Sequence, residues 1–161
     1  METPTPRRAA RVITVDTRQR VLLFGYRNPS TGQEFWATPG GGIEPGETPE
    51  QTARREFREE TGHAAPDDLG PIVWRRQVSF EWDGAPQHHD EVFFFAQVGD
   101  LTVADEHVAT LAAEGVIGHR WLTLDEIRDR EGFQVAPRRL ADLVQDLLDR
   151  GRPDAPIDVG P

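Results

Sequence analysis

Three glutamates, Glu56, Glu59 and Glu60, lie three and four residues apart in the stretch Pro39 to His63, PGGGIEPGETPEQTARREFREETGH. In a helix that spacing places all three carboxylates on one strip of surface, where their mutual repulsion costs stability unless cations or solvent offset it. Carboxylate oxygens are hard ligands suited to magnesium or manganese, and such ions commonly keep water and bridge phosphates. Just upstream runs Gly40-Gly41-Gly42. Without side chains, that backbone can approach closely and offer amide or carbonyl groups to metal or phosphate. Each feature also has a plainer reading, since Glu/Arg-rich strips are common on solvated helices and a glycine run is often only a tight turn. Taken together they point to a divalent-metal site shared by a loop and a helix.

The elements that must position these groups are legible around them. Thr48 is a good N-cap, Pro49 suits the first helical position and Gln51 completes a Thr-x-x-Gln capping box, so the helix is expected from Pro49 to Thr61 with Gly62 as a left-handed stop. Ala53 and Phe57 lie one turn apart and face a sheet; Arg55 stands four residues before Glu59, in reach of it, while Arg54 and Arg58 project away. Glu34 to Thr38 reads as a short aromatic strand entering the glycine loop. Before it, Ala10 to Val15 and Val21 to Tyr26 suggest an antiparallel hairpin across the polar turn Asp16 to Arg20. After the helix, Ile72 to Phe80 and Val92 to Val98 read as strands joined by a polar loop, Glu81 to Glu91, the second strand apolar enough to be central. Asp100 to Gly115 reads as irregular and Val116 to Trp121 as a final strand. Thr123 caps a short helix over Leu124 to Arg128, and Pro137 opens a last helix with Leu140, Leu143, Val144, Leu147 and Leu148 on one stripe.

Composition bounds the rest. With 161 residues the chain is long enough for one domain with a substantial core, and it contains no cysteine, which excludes thiolate chemistry and Cys-ligated zinc. The domain is expected over 9–150, with a flexible arm over 1–8 and a disordered Pro/Gly/Asp tail over 151–161. A net charge of -10 disfavours backbone-driven binding to nucleic acid, which depends on a basic surface. No run of about 18 apolar residues occurs to span a membrane, and the N-terminus lacks a signal-like apolar region. A cytoplasmic protein is the expectation.

Gly41, Glu47, Arg55-Glu56-Phe57, Glu59-Glu60 and Gly62 follow the pattern G-x5-E-x7-R-E-U-x-E-E-x-G-U, where U is a bulky apolar residue. That is the Nudix box, and the sequence resembles a Nudix hydrolase; seven fixed glycine or polar positions coincide, with His63 at the last apolar position as the one departure. The segment from His119 to Ile127 is similar to the strand-then-helix closing segment common in the family. The resemblance implies an α/β fold, an α/β/α sandwich with a central mixed sheet. It also implies hydrolysis of a nucleoside diphosphate linked to another moiety, using Mg2+ or Mn2+. By position, Glu56, Glu59 and Glu60 would ligate metal, Gly41 would lend a carbonyl, and Glu56 or Glu59 would be the base for the attacking water. Glu47 would pair with Arg55 to hold the loop against the helix, with Gly42 and Gly62 supporting. A Nudix-like nucleotide-binding or regulatory module without turnover is the alternative.

Outside the box the sequence leaves choices open. Glu91 or Glu114 would supply a further carboxylate, or each is a solvated loop residue. Trp36, Phe80 and Trp82 would stack on a base or belong to the core; Arg27 would contact phosphate or sit on the surface. His88 and His89 are adjacent strand residues that point to opposite faces, which argues against a zinc pair. A monomer and a homodimer are both compatible with the chain, and the expected partner is a small nucleotide.

Overall fold

The computed structural model describes residues 5–104, 108–113 and 115–161, and Glu114 therefore lies outside the described residues. In chain order the elements are β1 (Arg7–Val15), β2 (Arg20–Arg27), β3 (Glu34–Ala37), β4 (Gly40–Gly42), α1 (Pro49–Thr61), β5 (Trp74–Trp82), β6 (Ala85–Gln97), α2 (Val108–Ala113), β7 (Val116–Thr123), α3 (Leu124–Arg128), β8 (Gln134–Ala136), α4 (Leu140–Arg150) and β9 (Ile157–Asp158). The strands form one mixed sheet in the order β8-β3-β2-β1-β6-β5-β9, with β4 added to β1 and β7 to β2.

The two central strands explain the layering. β1 runs parallel to β6 from Arg7↔His89 to Val15↔Gln97. Because successive side chains point to opposite faces, Ala10 and Val12 of β1 and Val92 and Phe94 of β6 meet Ala53 and Phe57 of α1 on one side. Ile13, Val15, Phe93 and Phe95 meet Leu140, Val144 and Leu147 of α4 on the other, joined by Leu124 and Ile127 of α3. Apolar side chains on both faces are the mark of a strand covered twice, so the central position expected for VFFFAQV is observed. Phe57 is fully buried, a contribution of roughly 1.5–3 kcal/mol that fastens α1 to the sheet.

The structure departs from several expectations. The segment Glu81 to Glu91 is not a loop: β5 and β6 pair without interruption from Trp74↔Phe93 to Trp82↔Ala85. They reverse over Asp83 (φ 51°) and Gly84 (φ 74°), and Asp-Gly is a favoured two-residue turn because both positions need positive φ. The tail contributes a short strand to the sheet. Ile157 and Asp158 pair parallel to Trp74 and Arg75, Val159 donates its N–H to the Arg75 carbonyl at 3.0 Å, and its side chain is buried. Two apolar residues spaced two apart are enough to add an edge strand, which the surrounding Pro and Asp concealed. Arg7 and Arg8, placed in a mobile arm, are the first residues of β1. Finally, α4 begins at Leu140 rather than at Pro137, and β8 and β9 both follow β7.

Candidate active site

The helix that carries the three glutamates has its expected bounds, Pro49–Thr61. Thr48 accepts the Gln51 N–H while the Gln51 side chain accepts the Thr48 N–H, and Gly62 closes the helix at φ 80° with its N–H on the Arg58 carbonyl. The glycine run, expected only as a loop, is the short strand β4 pairing antiparallel with β1 through Ala9↔Gly42, Ala10↔Gly41 and Arg11↔Gly40. The sheet thus presents the β4 backbone to one flank of α1. A Cβ at Gly40 would collide with the Ala10 carbonyl and the Arg11 backbone, so the close approach there demands glycine, while one at Gly41 would push the Glu56 carboxylate aside.

Arg55 organises the exposed half of this arrangement. Its Nε and Nη2 donate to Glu47 Oε2 and Oε1 at 2.8 and 2.9 Å, a bidentate pair, and Nη2 also reaches the Gly42 carbonyl at 3.2 Å. Its Nη1 donates to Glu56 Oε1 at 3.0 Å and approaches Glu59 Oε2 at 3.4 Å. One guanidinium therefore joins the turn after β4 to the metal-type carboxylates. Glu47 also accepts the Glu44 N–H at 3.0 Å and the Thr52 hydroxyl at 2.9 Å. The Arg55 hydrogen bonds, helped by that backbone N–H, pull the Glu47 carboxyl down to about 2, and the same bonds raise Arg55 above its ordinary value.

The three helix carboxylates differ in setting. The Glu60 residue is 5% exposed and accepts the Gly40 N–H at 3.2 Å. The Glu56 side chain is largely buried against Gly41, and that of Glu59 is exposed. Among the described residues no three His, Asp or Glu side chains already enclose one point. Arg55 bonds Glu56 and Glu59, and Glu60 faces Gly40. The donor chemistry nonetheless fits a hard divalent cation, being all carboxylate oxygen beside a backbone stripped of side chains.

The residues proposed outside the box fall in different places. Glu91 is buried on β6, bonded to Arg11 Nε at 3.1 Å and Arg76 Nη1 at 2.8 Å, and is not a solvated loop residue. Burial alone would raise its carboxyl. The Arg11 charge, with His89 and Arg76, outweighs burial and holds it well below the usual carboxylate range. Trp36 is buried in the core, beneath Arg120 at 4.4 Å and edge-on to Phe133. Phe80 is half-buried, stacked on Phe35 and met by the His89 ring edge at 4.9 Å. Trp82 ends β5 beside the Asp83-Gly84 turn, and Arg27 is exposed and paired with Glu34 at 2.9 Å. His88 bonds Ser79 at 2.7 Å while its neighbour His89 meets Phe80 and Glu91. Sequence reasoning missed Arg11 and Arg76. A signal existed for the first: a single charge inside the apolar run AARVITV.

The chain is 32% identical over 145 residues to the MutT4 protein of Mycobacterium tuberculosis (strain CDC 1551 / Oshkosh), covering 89% of this chain and 54% of that one. It is 33% identical over 109 residues to the asymmetrical bis(5'-nucleosyl)-tetraphosphatase of Rattus norvegicus, covering 65% and 67% respectively. The chain thus spans about half the length of the first relative. Among solved structures, the MutT protein from Methanosarcina mazei Go1 superposes with a TM-score of 0.62 at 22% identity, covering 92% of this chain and 99% of that one, and so shares the fold. The NUDIX domain matches residues 5–143, and the chain belongs to that family.

Proposed function

We propose that this chain is a divalent-metal-dependent pyrophosphohydrolase that cleaves a nucleoside diphosphate linked to another moiety, with magnesium or manganese as its cofactor. One observation carries the reading: Glu56 and Glu60 lie against a side-chain-free backbone, and Arg55 joins Glu56 and Glu59 to Glu47 and the Gly42 carbonyl. The relatedness to a tetraphosphatase supports phosphoric anhydride bonds of nucleotides as the target.

In this reading Glu56, Glu59 and Glu60 hold the metal together with the Gly41 carbonyl, and a bound ion would polarise phosphoryl oxygens and lower the pKa of coordinated water. Glu56 or Glu59 takes the proton from the attacking water as general base. Arg55 keeps β4 and α1 in register, so the backbone and the carboxylates address the same phosphate. Phe80 and Trp82 are the aromatic groups proposed to meet the base, and Arg27 to meet phosphate. Trp36, in the core, would act on substrate only through packing. A small nucleotide, a monomer or homodimer and a cytoplasmic setting complete the proposal. Among the described residues no helix is long and apolar enough to cross a membrane.

A second reading, a nucleotide-binding module without turnover, is favoured by the engagement of Glu56 and Glu59 with Arg55. A nucleotide panel that includes dinucleoside polyphosphates, nucleotide sugars, ADP-ribose and oxidised nucleoside triphosphates separates the two. Phosphate or nucleotide release with magnesium or manganese, abolished in Glu56→Gln and Glu60→Gln, is the expected outcome. Binding without release for every compound would sustain the silent module instead.

A further inference from the structure

The buried charges around Glu91 lie outside the box, yet they reach it. Glu91 Oε1 accepts Arg11 Nε at 3.1 Å, and Glu91 Oε2 accepts Arg76 Nη1 at 2.8 Å. His89 Nδ1 stands 3.7 Å from Glu91 Oε1. Arg11 also donates Nη1 to the Thr38 carbonyl at 2.9 Å, two residues before Gly40. Its stem lies across Gly40, where an added Cβ would strike Arg11 Cγ, and Gly40 in turn donates its N–H to Glu60 at 3.2 Å. A continuous path therefore runs from β5 and β6 through Arg11 and the strand β4 to a carboxylate of α1.

The path costs stability to maintain. The Arg76 Nε and the Thr38 hydroxyl are buried and find no hydrogen-bond partner among the described residues. Apolar side chains of similar volume in place of such a buried ion network are often neutral or stabilising, so stability alone does not account for it. What the network does achieve is fixation: the Arg11 guanidinium is held by two partners, the Glu91 carboxylate and the Thr38 carbonyl, while the Arg11 stem lies across the backbone that meets Glu60.

We infer that Glu91 is a positioning residue for the site, neither a metal ligand nor the general base, and that it acts by locking Arg11 over Gly40 so that β4 keeps its contact with Glu60. The inference rests on the pyrophosphohydrolase reading for its catalytic consequence, but its structural core stands on geometry. Both oxygens of Glu91 are committed to arginines, and an acceptor so engaged is poorly placed to take a cation or a proton from water.

The test compares the parent with Glu91→Gln, Arg11→Gln and the double variant. Four readouts are used: kcat and KM on the best substrate, the pH profile of kcat, Mn2+ affinity of the nucleotide-free protein by electron paramagnetic resonance, and hydrogen exchange at the Gly40 amide. Each single variant is expected to lower kcat about tenfold and the double also about tenfold, because residues acting as one unit are non-additive. KM and the acid limb of the pH profile stay put, Mn2+ affinity stays within about twofold, and the Gly40 amide exchanges at least about tenfold faster. A double variant near a hundredfold down, a lost acid limb, or a Mn2+ affinity weakened about tenfold in Glu91→Gln would overturn the inference. If Glu91→Gln does not fold, Arg11→Gln decides alone, since it leaves Glu91 paired with Arg76. Unchanged Gly40 exchange and kcat in that variant refute the lock. Should the parent cleave nothing, the catalytic reading fails separately, and Gly40 exchange still judges the lock.

Discussion

Two arginines hold the glycine strand from opposite sides, and they do so in different physical regimes. Arg55 works at the surface: its side chain is 25% exposed, and it bonds Glu47, eight residues away in the chain. Arg11 works in the interior: its side chain is 14% exposed, and it bonds Glu91, eighty residues away. The first clamp is partly open to water and so is the more screened of the two. The second sits where charges cannot be re-solvated, so it is rigid and costly to break. The two divide the labour: Arg11 lies over β4 at Gly40, and Arg55 ties α1 to β4 at Gly42.

The largest effect tests what both clamps serve. Replacing Glu56 by Gln removes the carboxylate packed on Gly41 while keeping its size, and kcat is expected to fall by about 10³-fold, within the range for loss of a base or a metal-type ligand. Steady-state assays on the best panel substrate measure it, and a loss under about tenfold would place the chemistry elsewhere. Next comes the interior clamp. Glu91→Ala leaves Arg11 and Arg76 buried without a counter-charge and should lower the unfolding free energy by about 3–5 kcal/mol in urea titrations. A loss near 1 kcal/mol, the size expected for an exposed pair, would erase the contrast drawn between the two regimes.

The surface clamp follows. Arg55→Lys keeps the charge and discards the fork that grips both Glu47 oxygens, so β4 and α1 lose register. A drop in kcat of roughly 10²-fold, the scale of a misplacement of about 1 Å, is expected with little loss of stability. Equal kcat in parent and variant would show that Arg55 is ornamental to the chemistry.

The contrast also marks what the amino-acid pattern can disclose. The surface clamp and helix α1 were legible because their determinants are local: a capping box within four residues, a stop glycine, and carboxylates at helical spacing. The buried triad was not, because nothing in the spacing of Arg11, Arg76 and Glu91 says that β1 and β6 run parallel in a register that brings them together. Glu91 was singled out as a carboxylate, but its partners come from two other strands. The hairpin at Asp83-Gly84 is a different case. Its signal was local, and the polar residues flanking it drew the reading toward a loop, since a strand with one half-exposed face carries His, Gln and Asp without penalty. Likewise Ile157 and Val159 were too few to announce a strand against eleven residues of turn-like composition.

The smallest expected effect is the sharpest probe of the surface clamp, because it has a sign and a window. Glu47 is lowered from an ordinary 4.5 to about 2, chiefly by the Arg55 hydrogen bonds. A carboxyl depressed on folding binds fewer protons in the folded state than in the unfolded one, so stability rises with pH wherever the two differ. The contribution is therefore complete above the unfolded value near 4.5 and is lost as pH falls through about 2. In Glu47→Gln the neutral amide cannot titrate, and the difference in stability between parent and variant should shrink as pH is lowered from 5 toward about 2. Thermal unfolding monitored by circular dichroism across that window measures the difference, at low salt where a water-exposed pair is least screened. A gap that stays constant with pH would mean that Glu47 holds the turn through its geometry and not its charge, and the Arg55 fork would then join α1 to the turn without a charge contribution from Glu47.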